Sequence, residues 1–153
     1  MRRLLAIALL IGPLGARAQL ADTKILTLQA AQTMLAASEA EARKNNWSMS
    51  IAVVDAAGEL IAFHRMDGAT FGSIAVSQGK ARTAARFRRP SKAFDSTVTA
   101  GRVGLITLDG VVAVEGAVPI IVNGVLVGAI GASGGTSPQD AQVSRAGMDA
   151  LKP

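Results

Sequence analysis

Two apolar runs near the C-terminal end of the chain indicate a β-hairpin. The runs 119–122 and 125–132 flank the pair Asn123-Gly124. Asn-Gly favours a two-residue type I′ turn because both central residues need a positive φ. The second run has almost no polar residue, which predicts a strand covered on both faces. Its glycines, Gly128 and Gly131, leave room for a helix or a ligand to approach the backbone. This hairpin is the expected centre of a sheet.

Shorter runs predict the remaining strands. Residues 49–54 and 59–66 form two expected strands joined by a tight turn. Two further short strands are expected at 105–108 and 111–114, which an Asp-Gly pair separates. The runs from 105 onward, including the hairpin, are expected to give about three strands, so the antiparallel sheet is predicted to have about five.

Stretches of helical periodicity lie between the strands. Charged residues on the first of them, Glu39 and Arg43 included, are interpreted as a solvated face. Because strand pairs are joined by hairpins and helices stand outside them, the order predicts an α+β fold with helices packed on the sheet. The predicted helices are 28–44 after an N-cap at Thr27, 70–87 before Pro90, 92–100 after an N-cap at Ser91, and Ser137 to about 151.

The first eighteen residues have the pattern of a secretory signal peptide. Two arginines at positions 2 and 3 precede an apolar run at 4–14 that is too short to span a bilayer. The triplet Ala-Arg-Ala at 16–18 then supplies a cleavage site of the A-x-A type. We therefore expect a signal peptide at 1–18, a single domain at 19–153, and a periplasmic or secreted protein without a membrane span after cleavage.

Charge and cysteine content limit the partners. Removing residues 1–18 takes away three arginines and lowers the formal net charge from +5 to +2. This charge gives little support to a nucleic-acid partner, and none is expected. The chain has no cysteine, so disulfides and thiolate metal sites are excluded. Stability must come from packing, from oligomerisation, or from both.

Three blocks of the sequence resemble the GlcG/HbpS family. They read VVDAAGELIAFHRMDGA at 53–69, SIAVSQGKARTAA at 73–85 and PIIVNGVLVGAIGASGGTSPQD at 119–140. The resemblance implies a profilin-like or PAS-like α+β fold and a homo-oligomer, often an octamer. It also implies haem as a possible cofactor, since several members bind haem. One secreted member works with a sensor kinase, so a sensor protein is a possible partner.

The chain departs from the family at two points. Residues 116–119 read Gly-Ala-Val-Pro where the family often has Gly-Gly-x-Pro. His64 is the only histidine, so the N-terminal histidines that some members use for haem or iron have no counterpart.

Strand periodicity places two candidate iron ligands on one face of the second strand. Ala62, His64 and Met66 share that face, and Phe63 and Arg65 lie on the other. Imidazole and thioether are both normal axial ligands of haem iron. The alternative is that His64 lies on the surface and Met66 fills the core.

The segment Arg65-Met66-Asp67 joins this strand to the next helix. Arg65 offers a planar cation that can pair with a carboxylate such as a haem propionate. Alternatively it pairs with Asp67 or with a neighbouring subunit. Asp67 or Thr70 can cap the helix that follows.

Lys80 and Thr83 are the candidate ligand contacts on the next helix. Ser73, Ser77 and Lys80 share one helical face, which suits an anionic ligand or a close subunit contact. Both Lys80 and Thr83 match the family's KAxTA positions, and Thr83 would donate a hydrogen bond to the ligand. The alternative for Lys80 is a solvated surface lysine.

These features leave three hypotheses of function. The first is an exported, non-enzymatic binder of haem, a related tetrapyrrole or a small ligand. The second is an enzyme that acts on a small carboxylic acid with Lys80 as its base or as an electrostatic clamp. The third is an accessory module of an extracytoplasmic sensor. The sequence has no HExxH motif or cysteine cluster, and the glycine-rich loop at 133–136 lacks the spacing of a phosphate-binding loop.

Overall fold

The computed structural model describes residues 23–151. Its central element is a four-stranded antiparallel sheet. The expected signal peptide lies outside these residues. The α+β fold class is confirmed, with helices on both sides of the sheet. Its elements are α1 (Leu28–Lys44), β1 (Ser50–Asp55), β2 (Leu60–Arg65), α2 (Phe71–Phe87), α3 (Lys92–Thr99), a 3-10 turn (Val103–Thr107), β3 (Ala117–Val122), β4 (Val125–Ser133) and α4 (Ser137–Asp149).

The strands follow the order β2-β1-β4-β3. The predicted hairpin is confirmed as β3 and β4, and its turn residues Asn123 and Gly124 have φ of 52° and 78°. These positive angles are what a type I′ turn requires. As predicted, β4 lies inside the sheet, paired on one side with β1 and on the other with β3. The expectation that the whole hairpin lies at the centre was wrong, because β3 is an edge strand.

The two faces of the sheet are packed differently. The face under α1 and α4 holds large aliphatic side chains such as Met34, Ile51 and Ile130. The face under α2 holds mainly alanines, so this helix approaches the sheet closely. At Gly131 a Cβ atom would lie 2.7 Å from the Ser77 carbonyl oxygen. The space that this glycine leaves is therefore filled by a helix and not by a ligand.

The prediction of about five strands was too high, because neither 105–108 nor 111–114 forms a strand. Residues 105–108 belong mainly to the 3-10 turn, and 111–114 have no regular structure. The Leu108 amide donates to the Leu105 carbonyl, which closes the turn locally. The Val112 amide donates to Thr83 Oγ1 at 2.8 Å, so this segment is held by α2 and not by a strand.

Two helices start where predicted, at Lys92 and Ser137, but their capping differs from the expected pattern. Ser91 has helical φ and ψ and makes no cap hydrogen bond. Its Oγ accepts from the Ala117 amide at 3.0 Å, and its amide donates to the Ala117 carbonyl at 3.1 Å. The last helix begins at Ser137 and is capped by the preceding residue, Thr136. The side chain of Gln139 accepts from the Thr136 amide and fixes this start.

Candidate functional site

The His64 side chain leaves β2 on the side of α1, where it meets Glu39. The distance from His64 Nδ1 to Glu39 Oε2 is 2.8 Å, and the His64 side chain is 42% exposed. Glu39 also accepts from Arg43 Nε at 3.0 Å. The hydrogen bond from Arg43 lowers the pKa of Glu39, and that from His64 lowers it further. Glu39 is therefore ionised at neutral pH.

The ionised Glu39 fixes the tautomer of His64. An ionised carboxylate only accepts hydrogen bonds, so Nδ1 of the neutral ring must carry the proton. Nε2 then holds a lone pair, and within residues 23–151 it has no hydrogen-bond partner. An imidazole whose second nitrogen donates to a carboxylate is the usual arrangement of a histidine that binds a metal. The surface alternative for His64 holds as well, since the ring is half-exposed.

Met66 and Asp67 line a groove beside this pair. The groove has a volume of about 340 Å³, and Trp47 and Arg43 also line it. Met66 is buried and packs in the aliphatic core, as its core alternative predicted. Asp67 is exposed. Arg43 lines the groove and also donates a hydrogen bond to Glu39. The structure therefore brings the groove and the His64–Glu39 pair to one edge of the molecule.

Arg65 points to the opposite face of β2, as the strand periodicity predicted. Its guanidinium carbon lies 4.6 Å from the centre of the Phe71 ring, and Phe71 as a residue is 82% exposed. Arg65 also donates to the Ala69 carbonyl at 3.3 Å. In the part of the chain that the structure describes, Arg65 has no ion pair, and Asp67 is not its partner. The guanidinium of Arg65 is thus stacked on an exposed aromatic ring at the surface.

Lys80 is buried, so the interpretation of it as a solvated surface lysine was wrong. Its Nζ lies 2.7 Å from Asp140 Oδ2 and 3.4 Å from the Ala132 carbonyl oxygen. Burial raises the pKa of Asp140, while the hydrogen bond from Lys80 opposes that rise. Gly116 closes the site, since a Cβ there would lie 2.7 Å from Nζ. A ligand could reach this ammonium only by displacing Asp140 or the chain at Gly116.

Thr83 is also buried and holds two segments together. Its hydroxyl donates to the Gly79 carbonyl at 2.8 Å and accepts from the Val112 amide. Lys80 and Thr83 therefore lie on the inner face of α2, apart from the groove beside Met66. Their contact with a ligand stays a prediction, and so does the ligand role of Arg65, Met66 and Asp67.

Sequence reasoning missed two partners in these sites. Glu39 was assigned to a solvated face, although it holds His64. Asp140 lies in the first turn of the predicted last helix and was given no role, although it holds Lys80. These partners lie 25 and 60 residues from the side chains that they contact. No local pattern indicates such pairs.

Comparison with known proteins agrees with the fold and the motifs. A family model described as "Haem degrading protein HbpS-like" matches residues 26–149. The chain belongs to the HbpS-like family. Protein GlcG of Escherichia coli is 46% identical over 109 residues, which cover 71% of this chain and 81% of GlcG. The resemblance predicted from the three sequence blocks is thereby confirmed.

Solved structures show the same fold. A double mutant of HbpS from Streptomyces reticuli is 30% identical with a TM-score of 0.82, and the match covers 93% of this chain and 98% of HbpS. A complex of PduOC with haem gives a TM-score of 0.77 at 23% identity, covering 84% of this chain and 96% of PduOC. At that identity the second likeness supports the fold alone. Within residues 23–151, every helix is too short or too polar to cross a membrane.

Proposed function

We propose that the protein binds haem or a related tetrapyrrole and that His64 supplies the axial ligand. The observation that carries this proposal is the His64–Glu39 pair, which leaves Nε2 free to donate its lone pair. The family description, which names haem, supports the choice of cofactor. Bound haem supplies an iron centre whose reactivity depends on its axial ligand and surroundings.

Part of the surface near His64 fits the chemistry of haem. The groove next to it has apolar contacts from Trp47 and Met66, the cation of Arg43, and a lining that is otherwise polar. Arg43 also pairs with Glu39. Arginine pairs well with carboxylates such as the propionates of haem. The thioether of Met66 is an alternative iron ligand, but its side chain is buried in the core. His64 is therefore the better candidate.

A homo-oligomer is the second part of the proposal. The groove volume of about 340 Å³ is near the lower end of the range of about 300–1,000 Å³ for ligand pockets. A macrocycle would extend beyond such a groove, and a second copy of the chain would cover the remainder. Phe71, with Arg65 stacked on it, is an exposed aromatic side chain of the kind that subunit contacts bury.

Export is the third part. The pattern of residues 1–18 supports a signal peptide and thus a periplasmic or secreted protein. Intact-mass measurement of the protein secreted from its full sequence tests this part directly. A mass that starts at residue 19 is expected, and a mass that includes residues 1–18 would contradict it.

A visible-absorbance titration with ferric haem tests the ligand. The full chain, His64→Ala and Met66→Ala are titrated side by side, with Arg102→Gln as a matched surface control. We expect a saturable Soret shift that is lost in His64→Ala and kept in the other two variants. The absence of a saturable shift in the unaltered protein would overturn the haem proposal. A shift kept in His64→Ala but lost in Met66→Ala would reassign the axial ligand.

A further inference from the structure

A second groove lies between β3, α4 and the start of α3. Its volume is about 340 Å³, and its floor is apolar, formed by residues such as Ala117, Ala141 and Met148. The two alanines are 2% and 3% exposed, so the rigid core fixes that floor. Three charged side chains, Lys92, Glu115 and Arg145, stand at its rim. An apolar cleft with a few polar groups is the usual form of a small-molecule site.

The rim carries an excess of one positive charge. Lys92 Nζ lies 3.1 and 3.2 Å from the two carboxylate oxygens of Glu115, so these two charges neutralise each other. Arg145 is exposed and, among the described residues, has no carboxylate within 4.0 Å. Asp149, one turn further along α4, forms no ion pair with it, and Asp140 is engaged by Lys80. The guanidinium of Arg145 is thus available to an anion.

The edge of the sheet at this groove is closed to an added strand. The outward amide and carbonyl of Ala117 are both taken by Ser91. Pro119, two residues further along β3, turns its backbone toward the same outer edge and has no N–H group to donate. An extended peptide therefore lacks the backbone partners that strand addition needs. The occupant must bind through side-chain contacts and charge.

We infer that this groove binds a small amphipathic carboxylate. Its apolar body would lie on Ala117 and Met148, and its carboxylate would pair with Arg145. The site is independent of the proposed haem site, because β3 and β2 are opposite edges of the sheet. Three strand spacings, about 14 Å, separate those edges.

Binding is tested with 3-phenylpropionate as the probe. The Met148 methyl signal is followed in protein labelled with ¹³C at the methionine methyl groups, over a titration of the full chain. We expect a saturable shift of Met148 and little change at Met66, which lies on the other edge. The neutral analogue 3-phenylpropanol should bind at least about tenfold more weakly, since it cannot form the charge-assisted pair.

Variants of two arginines separate charge pairing from mere apolar contact. Arg145→Gln should weaken 3-phenylpropionate binding by about tenfold, whereas Arg102→Gln, which lies outside the groove, should leave it unchanged. Both residues are exposed, so both variants are expected to fold. Equal binding of acid and alcohol, or binding unchanged in Arg145→Gln, would overturn the inference. So would the absence of any saturable Met148 shift.

A haem titration of Arg145→Gln distinguishes this groove from the site at His64. We expect the Soret shift of this variant to match that of the unaltered protein. If haem binding is lost in Arg145→Gln while 3-phenylpropionate fails to bind, the groove serves haem and the inference fails. If the unaltered protein binds 3-phenylpropionate but no haem, the haem proposal fails and this inference stands.

Discussion

Two pairs of side chains in this protein have nearly the same geometry and opposite surroundings. Lys80 and Asp140 approach to 2.7 Å with side chains 2% and 3% exposed. His64 and Glu39 approach to 2.8 Å with side chains 42% and 24% exposed. In the first pair the surrounding backbone closes the site, so the pair holds elements together. In the second pair one ring nitrogen stays free, so the pair can serve a ligand. Burial and spare bonding capacity, more than distance, separate a pair that only holds the fold together from a pair that is able to bind a ligand.

Breaking the buried pair should give the largest effect. Lys80→Met leaves Asp140 buried without its cation, which is expected to cost about 3–5 kcal/mol of unfolding free energy. Urea denaturation followed by circular dichroism measures this loss. The double variant Lys80→Met, Asp140→Leu should regain most of it, because no uncompensated charge remains. A loss below about 1 kcal/mol in the single variant would show that the pair is not structural.

Gly116 tests how tightly the backbone closes over that pair. Its φ of +142° is unfavourable for other residues, and a Cβ would lie 2.8 Å from the Cβ of Asp140. Gly116→Ala should therefore cost about 1–3 kcal/mol, measured by urea denaturation.

The matched control for Gly116→Ala is Gly72→Ala in the first turn of α2. No atom lies within 4 Å of a Cβ at Gly72, and alanine favours the helix. This variant should be neutral or up to about 1 kcal/mol more stable. Equal destabilisation of both variants would mean that the effect at position 116 does not come from closure over Lys80.

The same contrast explains which features could be predicted from sequence. Asn123-Gly124 and the face of β2 that carries His64 follow from local rules of turn geometry and strand alternation. The apolar residues 105–108 lie mainly in a 3-10 turn and not in the expected strand, because an apolar run becomes a strand only where a neighbouring strand pairs with it. Here the Val112 amide binds Thr83 instead.

Long-range pairing explains the rest of the errors. Serine is a common helix N-cap, but the Ser91 hydroxyl instead accepts a hydrogen bond from the Ala117 amide at the edge of β3. Lysine is usually exposed, but Lys80 is buried because the carboxylate of Asp140 compensates its charge in the core. Both outcomes depend on residues that are distant in sequence. A single sequence carries no local signal for them.

The exposed pair should respond in the opposite way to the buried one. Glu39→Gln keeps an oxygen acceptor near His64, and it should change the free energy of unfolding by less than about 1 kcal/mol. If His64 ligates haem, the loss of the carboxylate should weaken haem binding by about tenfold or more. Glu41→Gln on the same helix is the matched control, because Glu41 bonds Gln142 and not His64. Equal haem affinity in the two variants would show that Glu39 does not contribute to haem binding.

The smallest expected effect is a change in the titration of Glu39. Its pKa lies below the ordinary value of 4.5, first because of the hydrogen bond from Arg43. Since the folded-state pKa is lowered, the stabilising contribution of Glu39 is present above pH 4.5. That contribution is lost as the pH falls through the lowered folded-state pKa. Carboxyl ¹³C NMR of Arg43→Ala should show the pKa of Glu39 rising toward its ordinary value, with a smaller rise in His64→Ala. A larger rise in His64→Ala would mean that the histidine, and not Arg43, mainly keeps this carboxylate ionised.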